Sequence, residues 1–572
     1  MTSPNQSLSS VYLGIFDGHN AAAGLFREGC MQAFVQEERL TRIKNHFGPP
    51  ELAVEEVLRL TGVEREEVTR VCFASRYLSP PRDPGYMKWN FDERHRDGVV
   101  LGAKRWISSF ASYREYRARE RMQQRTKLAS SWGFREDSVS FCDHHEGHAA
   151  TAYYGLRRDD DPYLVLTLDG GGDGLSGSVW LGRGGQLRRI ESIAQEDSLG
   201  ELYAVTTHLL GFTPLEHEFK LMGMAPYAAP EYGSEVAKVY AGYLQLEGES
   251  LRFHRSVTEP TSLVGPRLQS DLARVRFDNV CAGLQQFSED MLQAWVRRCV
   301  LKTGVPRVLA AGGVFMNVKA NKVVSELQEV ELFEVFPSCG DESLPFGACY
   351  LAATEAGEPV ERLEHAYLGG DLHRDDCHRA LSERSDLRVE EPENMADRVA
   401  QLLADGKVVA RAAGNMEFGA RALGNRSILA DPLNQDVVRV INRMIKKRDF
   451  WMPFAPVVMR KNSSEYFLNP KNMPSPYMMN TFDSTDRRGE FMAAVHNADL
   501  TARPQLLEKG QNLGYEAILE RFGERTGRHV LLNTSFNLHG YPIVCRAEDA
   551  LHVLVESGLR YMIFGPLLVS KE

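Results

Sequence analysis

From Val11 the chain runs through six mainly apolar residues, VYLGIF (11–16), and then breaks at Asp17-Gly18. That pattern predicts a buried strand closing into a polar turn. Small residues follow, then the strand GLF, the turn REG and a third strand, MQAFVQEER. From Leu164 the same order returns: LVLTL (164–168), Asp169-Gly170, small residues, SGSVWLG, a turn at RGG and LRRIESI. Strand, Asp-Gly and hairpin therefore occur twice, which predicts a duplicated α/β domain with two strand-end loops facing each other across a cleft. VPRVLA then leads into AAGGVFMN (310–317) and a helix, so Gly312, Gly313 and Asn317 sit where a nucleotide's phosphates or sugar would be cradled.

The pattern changes near 355–375, where EAGEPVERLEHAYLGGDLHRDD predicts a boundary between domains 1–360 and 361–572. Beyond it ENMADRVAQLLADG has the spacing of an amphipathic helix, KVVARAAG reads as the next strand, and VLLNTSFN (530–537) as a buried strand breaking into a polar loop. The second domain is therefore α/β as well. Between the two N-terminal hairpins lies an insertion, 86–135, rich in arginine and aromatics, which fits either a solvated helical pair or a lid over a cleft.

At 572 residues the chain exceeds one ordinary core. A net charge of -10 argues against a nucleic-acid partner, though not against local nucleotide binding. The nine cysteines show no C-x-x-C spacing, which fits reduced thiols in a cytosol. The polar start MTSPNQSLSS has no signal-peptide core, and no apolar run approaches the roughly 18–20 residues that span a bilayer. The expected location is cytoplasmic.

Chemistry concentrates first in DHHEGHAA (143–150). Asp143 and Glu146 form a D-x-x-E capping box, and a helix starting there sets His144 and His148 one turn apart on one face. Two imidazoles so placed either share a cation or are chance neighbours. Asp169 and Asp341, the latter in PSCGDES, are candidate carboxylates to complete the set, and two imidazoles with two carboxylates suit Fe(II), Mn(II) or Zn(II) better than calcium. His19, directly after the first Asp-Gly turn, is a candidate general base beside a phosphate-binding loop. Lys220, in HEFKLMGMAPY, is either a surface lysine or part of a buried loop. In the second domain Arg421, Arg426, Lys446, Arg448 and Arg503 stand in short motifs flanked by Gly, Pro or Phe, the composition of a concave anion site. Asn533, Ser535 and Asn537 would add neutral hydrogen bonds there.

These motifs, in order, resemble the O-carbamoyltransferases of the NodU/TobZ type. The likeness is carried by QEERLTRIKNH (36–46), HHEGH (144–148), SLGELYAVTTHLLGF (198–212), KLMGMAPY (220–227), GGVFMN (312–317), MEFGARALGNRSILADP (416–432), IKKRDFWMPFAP (445–456), TARPQ (501–505) and LLNTSFN (531–537). The resemblance implies an actin/hexokinase-like (ASKHA, Kae1-like) duplicated N-terminal domain followed by a YrdC-like domain. It also implies two steps: carbamoyl phosphate and ATP, with Mg²⁺, give carbamoyladenylate in the second domain, and the first transfers the carbamoyl group to a hydroxyl. Carried over by position, His144, His148, Asp169 and Asp341 match metal ligands, most often of iron. Arg421, Lys446, Arg448, Arg503 and Ser535 match the adenylating pocket, His19 matches a histidine near the transfer site, and Lys220, Gly312, Gly313 and Asn317 are the candidates to hold carbamoyladenylate in the first domain. The partners implied are ATP, carbamoyl phosphate and a small hydroxylated acceptor such as an antibiotic sugar, polyketide alcohol or nodulation signal, with a homodimer allowed. A tRNA-directed threonylcarbamoyl transferase and an ASKHA-type kinase are the rival readings. The acidic balance opposes the first, and the second domain is unexplained by the other. Two positions depart from the family pattern: Ala420 stands where proline is common in FGPRALG, and Tyr541 where glutamate is common in GEPIV.

Overall fold

The computed structural model describes residues 10–77, 91–92, 111–446 and 449–571. Strands β1 (Val11–Phe16), β2 (Ala22–Arg27), β3 (Cys30–Gln36), β4 (Arg70–Ala74) and β5 (Val139–Cys142) form one sheet in the order β3-β2-β1-β4-β5. The first three are antiparallel neighbours, and β4 and β5 join in parallel. Strands β6 (Tyr163–Gly172), β7 (Leu175–Arg183) and β8 (Gln186–Ala194) open a second sheet. After a small hairpin, β9 (Leu244–Leu246) and β10 (Phe253–Arg255), it is completed by β11 (Arg307–Ala311) and β12 (Leu332–Val335). Its order from the hairpin side, β8-β7-β6-β11-β12, repeats the first sheet strand for strand, with the same directions. Even the hairpin turns match, because Glu28-Gly29 and Gly184-Gly185 all have positive φ, as two-residue turns of the primed type require. The first domain is thus a duplicated unit of the actin/hexokinase-like order. One boundary differs from the sequence reading: the third strand stops at Gln36, and Glu38–Thr41 turn into a single helical turn.

Each sheet hands its last strand to a helix, His144–Leu156 after β5 and Leu344–Glu355 after β12, and the two helices pack on each other. Their backbones meet at glycine: a Cβ on Gly347 would lie 2.0 Å from the carbonyl oxygen of Gly147. Any side chain there would push the halves apart, so this pair sets how closely the two strand-end loops approach.

The second domain continues with β13 (Leu387–Glu390), β14 (Val409–Ala412), β15 (Arg426–Ala430), β16 (Ala455–Met459), β17 (Phe467–Leu468), β18 (Phe482–Ser484) and β19 (Thr501–Ala502). It ends with β20 (Gln505–Leu507), β21 (Val530–Ser535), β22 (Tyr561–Phe564) and β23 (Leu567–Lys571). Eight of these make a mixed sheet, β13-β23-β22-β14-β15-β21-β16-β20, and β17 to β19 a small separate one. Alternation places successive residues on opposite faces. Val409, Leu429 and Leu531 pack under the helices Met395–Ala404 and Leu513–Thr526, while Ala410, Ile428 and Leu532 pack under Ala547–Glu556. The seam between the domains is apolar: the core of Phe16, Tyr153, Leu166 and Phe346 runs on into Phe418, Phe482 and Leu506. No helix among the described residues is long and apolar enough to cross a membrane.

Arg448 and much of the 86–135 insertion lie outside the described residues. The insertion's described part includes the helix Ala111–Ser131, whose Arg125 is buried and forms a two-pronged ion pair with Asp17 at 2.8 Å on both arms.

Candidate metal centre and anion pocket

β5 ends one residue before Asp143, which is extended and accepts the N–H of Glu146 at 3.1 Å, starting the helix at His144. The expected capping box is half realised: Glu146 makes no return bond, and the N–H of His144 is taken by Asp173 at 3.0 Å. On this helix His144 and His148 face the ends of two other elements. Asp169 leaves the apolar part of β6, and Asp341 opens the turn before the Leu344–Glu355 helix. His144 Nε2 is 3.7 Å from Asp169 Oδ2 and 3.5 Å from Asp341 Oδ1. His148 Nε2 is 3.1 and 3.4 Å from the same two atoms.

The four donors fit a cation. Metal–ligand bonds of about 2.1 Å put adjacent donors roughly 3.0–3.4 Å apart in octahedral or tetrahedral geometry, close to what these side chains show. All four donor atoms lie within 4.8 Å of one another, and His144 Nε2 and Asp341 Oδ1 are buried without a hydrogen-bond partner among the described residues. The electrostatics agree. Burial disfavours charge on both histidines, yet the facing carboxylates outweigh it, holding His144 up to about 9 and raising His148. Against the same burial, the two imidazoles pull Asp169 well below the ordinary carboxylate range; Asp341 is lowered too, although the charge of Asp169 opposes it. A negative pocket that seizes protons so firmly would take a divalent ion in their place. His145 points elsewhere: its Nδ1 meets Thr167 Oγ1 at 2.9 Å, and burial followed by its two charged neighbours lowers it to about 3.

The backbone around the centre is made of small residues. A Cβ on Gly172 would fall 2.2 Å from the His144 ring, one on Gly200 2.8 Å from the Asp169 carbonyl, and one on Gly313 3.1 Å from the Asp169 carboxylate. Gly312, at φ 105°, turns against the Leu168 carbonyl. His19 reaches the far oxygen of Asp341, Nδ1 to Oδ2 at 3.5 Å; burial lowers it, but the bond and charge of Asp341 raise it overall. Lys220 pairs with Asp449 at 3.1 Å and lies over the Phe212 ring, while Asn317 exchanges bonds with Gln285 and caps the Val318–Ser325 helix through Ala320.

The second constellation gathers at the end of β21. Lys446, buried in the Asn442–Lys446 turn, donates to Ser535 Oγ at 3.0 Å and to Asn537 Oδ1 at 2.7 Å, and Ser535 itself donates to Asn537. Arg421 has a buried Nε with no partner among the described residues, and burial lowers its guanidinium to about 10. Asn533 donates to the Ala422 carbonyl at 2.9 Å, leaving Oδ1 buried and unpartnered. Arg426 is fully buried and gives its Nη donors to the carbonyls of Gly414, Asn425 and Gly370, so it holds backbone. Arg503 is half-buried between β19 and β20.

The sequence reading had no role for the residues that join the two constellations. Gln36 Oε1 accepts from Gly419 N at 3.1 Å, and Arg39, 1% exposed, donates to the Gly419 carbonyl at 2.6 Å. Ser338 Oγ accepts from Ala420 N at 3.0 Å and donates to Glu342, next to Asp341. Arg42 donates to the carbonyls of Ile543 and Pro542. The run carrying Arg421 is thereby pinned to the loop carrying Asp341, and the Glu342 carboxyl acts on Arg421 across the seam. Proline at position 420 could not make the Ser338 bond. A signal was present in QEERLTR, where a buried arginine among carboxylates has to be spoken for.

The carbamoyltransferase N-terminus model matches residues 12–350, and the carbamoyltransferase C-terminus model matches 400–571. Nodulation protein NolNO of Sinorhizobium fredii is 30% identical over 97% of this chain and 79% of its own length. The 3'-hydroxymethylcephem-O-carbamoyltransferase of Amycolatopsis lactamdurans is 28% identical over 48% of this chain and 50% of its own. Among solved structures, full-length HypF in a phosphate- and nucleotide-bound form aligns at 12% identity and a TM-score of 0.32, covering 62% of this chain and 56% of that one. With family models matching both regions over most of the sequence, the chain belongs to the carbamoyltransferase family and is an enzyme of that type.

Proposed function

We propose that the protein is an O-carbamoyltransferase working in two steps on ATP, carbamoyl phosphate and a small hydroxylated acceptor. The observation that carries the reading is the division of opposite charge: buried cations in the C-terminal region, Lys446 bonded to Ser535 and Asn537 and Arg421 on the pinned run, against a carboxylate-histidine centre around Asp169. Polyanionic substrates belong in the first. There carbamoyl phosphate yields carbamate and phosphate on taking up water, and the carbamate oxygen attacks the α-phosphorus of ATP, expelling pyrophosphate and leaving carbamoyladenylate. Lys446, Arg421 and the donors of Ser535 would spread the charge of the transferring phosphoryl group.

In the second step the acceptor hydroxyl attacks the carbamoyl carbon and AMP leaves. A divalent ion held by His144, His148, Asp169 and Asp341, iron(II) or manganese or zinc, would supply Lewis acidity toward the adenylate phosphate. His19, oriented by Asp341, would take the hydroxyl proton. Gly312 and Gly313 let the Leu168 backbone and the Asp169 carboxylate lie close against the turn, which fixes where Asp169 stands. The Amycolatopsis relative, named as an O-carbamoyltransferase of a 3'-hydroxymethylcephem, supports transfer to a hydroxyl oxygen of a small molecule.

Incubation with ATP, Mg²⁺ and carbamoyl phosphate, without acceptor, tests the first step. Pyrophosphate release that depends on carbamoyl phosphate, and that falls at least about 100-fold in Lys446→Ala while metal content is kept, is expected. ADP formation, or an unaffected Lys446→Ala, would overturn the reading.

A further inference from the structure

Asp173 has no part in the chemistry above, yet its carboxylate collects four donors from two distant segments. Oδ1 accepts Ser75 Oγ at 2.9 Å and the N–H groups of Arg76 at 3.0 Å and Tyr77 at 2.8 Å. Oδ2 accepts Arg76 N at 2.8 Å and the N–H of His144 at 3.0 Å. Asp173 itself sits at φ 50° in the turn between β6 and β7, a backbone shape that aspartate tolerates better than most residues. The loop it grips follows β4 and is held from the other side by Arg125, which donates to the Ser75 carbonyl at 3.1 Å.

In the duplicated topology this loop is the counterpart of the Gly312-Gly313 turn after β11. In the first half a carboxylate of the protein fills the nest of N–H groups, whereas in the second half the N–H of Gly312 goes to the Cys339 carbonyl at 2.7 Å. That carboxylate also stands at the positive end of the His144–Leu156 helix. The neighbouring Gly172 lets the His144 ring lie where a Cβ would be, so residues 172 and 173 grip the ring and the backbone of the same histidine.

We infer that Asp173 is a positioning residue of the metal centre: by holding the N–H of His144 and the loop after β4 on one carboxylate, it sets where the His144 imidazole points. The inference rests on reading His144, His148, Asp169 and Asp341 as metal ligands. Outer partners that orient ligands are worth about 10–100-fold in metal affinity.

The test compares wild type with Asp173→Ala by hydrogen exchange and by Mn²⁺ titration followed by electron paramagnetic resonance. The expected result is faster exchange in both the 75–77 and 143–148 segments, an altered Mn²⁺ spectrum and a Kd raised about 10-fold or more. Acceptor-free pyrophosphate release stays within about twofold, which a general loss of structure would not allow. Ser75→Ala, which keeps the carboxylate and its bond to His144, is expected to stay within about threefold of wild-type affinity. A Mn²⁺ Kd within about twofold of wild type in Asp173→Ala, or an equal loss in Ser75→Ala, would overturn the inference. If Asp173→Ala does not fold, Asp173→Asn carries the same thresholds. Wild-type protein that binds no Mn²⁺ would refute the metal reading instead, and exchange at the two segments would still report whether Asp173 fastens them.

Discussion

The two halves of the first domain share strand order, strand direction and hairpin turns, but not what stands at the strand ends. In the first half Asp17 closes β1 and is satisfied from within by the guanidinium of Arg125, and the loop after β4 is satisfied by Asp173. In the second half Asp169 faces two histidines and a second carboxylate, and the glycine turn after β11 is bare of side chains. A duplicated fold gives two strand-end carboxylates; here one is paired by the protein's own guanidinium and serves as a scaffold, and the other faces the histidines of the first half's last helix. The lesson is that matching topology does not carry matching chemistry, since one arginine from an insertion is enough to retire a strand-end carboxylate.

The largest effect expected from this difference is on stability. Arg125→Met would leave Asp17 buried without a partner, and breaking a buried pair in this way costs about 3–5 kcal/mol. Chemical denaturation should show that loss, while metal content of the folded protein stays at the wild-type level. A loss of metal with no loss of stability would mean that Asp17 also takes part in holding the ion.

Next in size is a pH dependence set by the centre the halves form together, His144 and His148 from the first and Asp169 and Asp341 from the second. In the metal-free protein His144 is held protonated up to about 9 and His148 is raised as well, the carboxylates outweighing burial. Groups raised in the folded state stabilise it fully below their unfolded value of about 6.5 and lose that contribution as pH climbs through the folded value. Metal-free protein should therefore melt progressively lower between about pH 6.5 and 9. Metal affinity should move the other way, tightening by up to about tenfold per pH unit for each proton displaced. Melting curves with and without Mn²⁺ across this range check both signs; parallel curves would contradict the account.

The smallest effect lies at the seam. Ala420→Pro removes the N–H given to Ser338 and should cost about 1 kcal/mol, with acceptor-free pyrophosphate release nearly unchanged. A large loss of that activity would show that the bond does more than pin the two domains.

Much of this was legible along the chain. The Asp-Gly hairpins announced the duplication because strand and turn are local patterns, and His144 and His148 were legible as a pair because helix spacing fixes their face. Asp169 and Asp341 could only be nominated, since their convergence depends on two helices crossing at Gly147 and Gly347. The pairing of Arg125 with Asp17, the grip of Asp173 and the hold of Gln36 and Arg39 on Gly419 were not legible. Each joins residues far apart in sequence, and no periodicity encodes such a contact. Arg426 read as a ligand-binding cation because its neighbours are small, whereas those neighbours let backbone carbonyls close around it.

The most direct test of the central claim is the metal content of wild type and Asp169→Asn after anaerobic loading with Fe(II) and removal of unbound ion. The account predicts about one equivalent in wild type and a loss of at least about 100-fold in affinity in the variant, which would leave it nearly empty. One full equivalent retained by folded Asp169→Asn would contradict it, because the ion would then be held somewhere other than between His144, His148, Asp169 and Asp341.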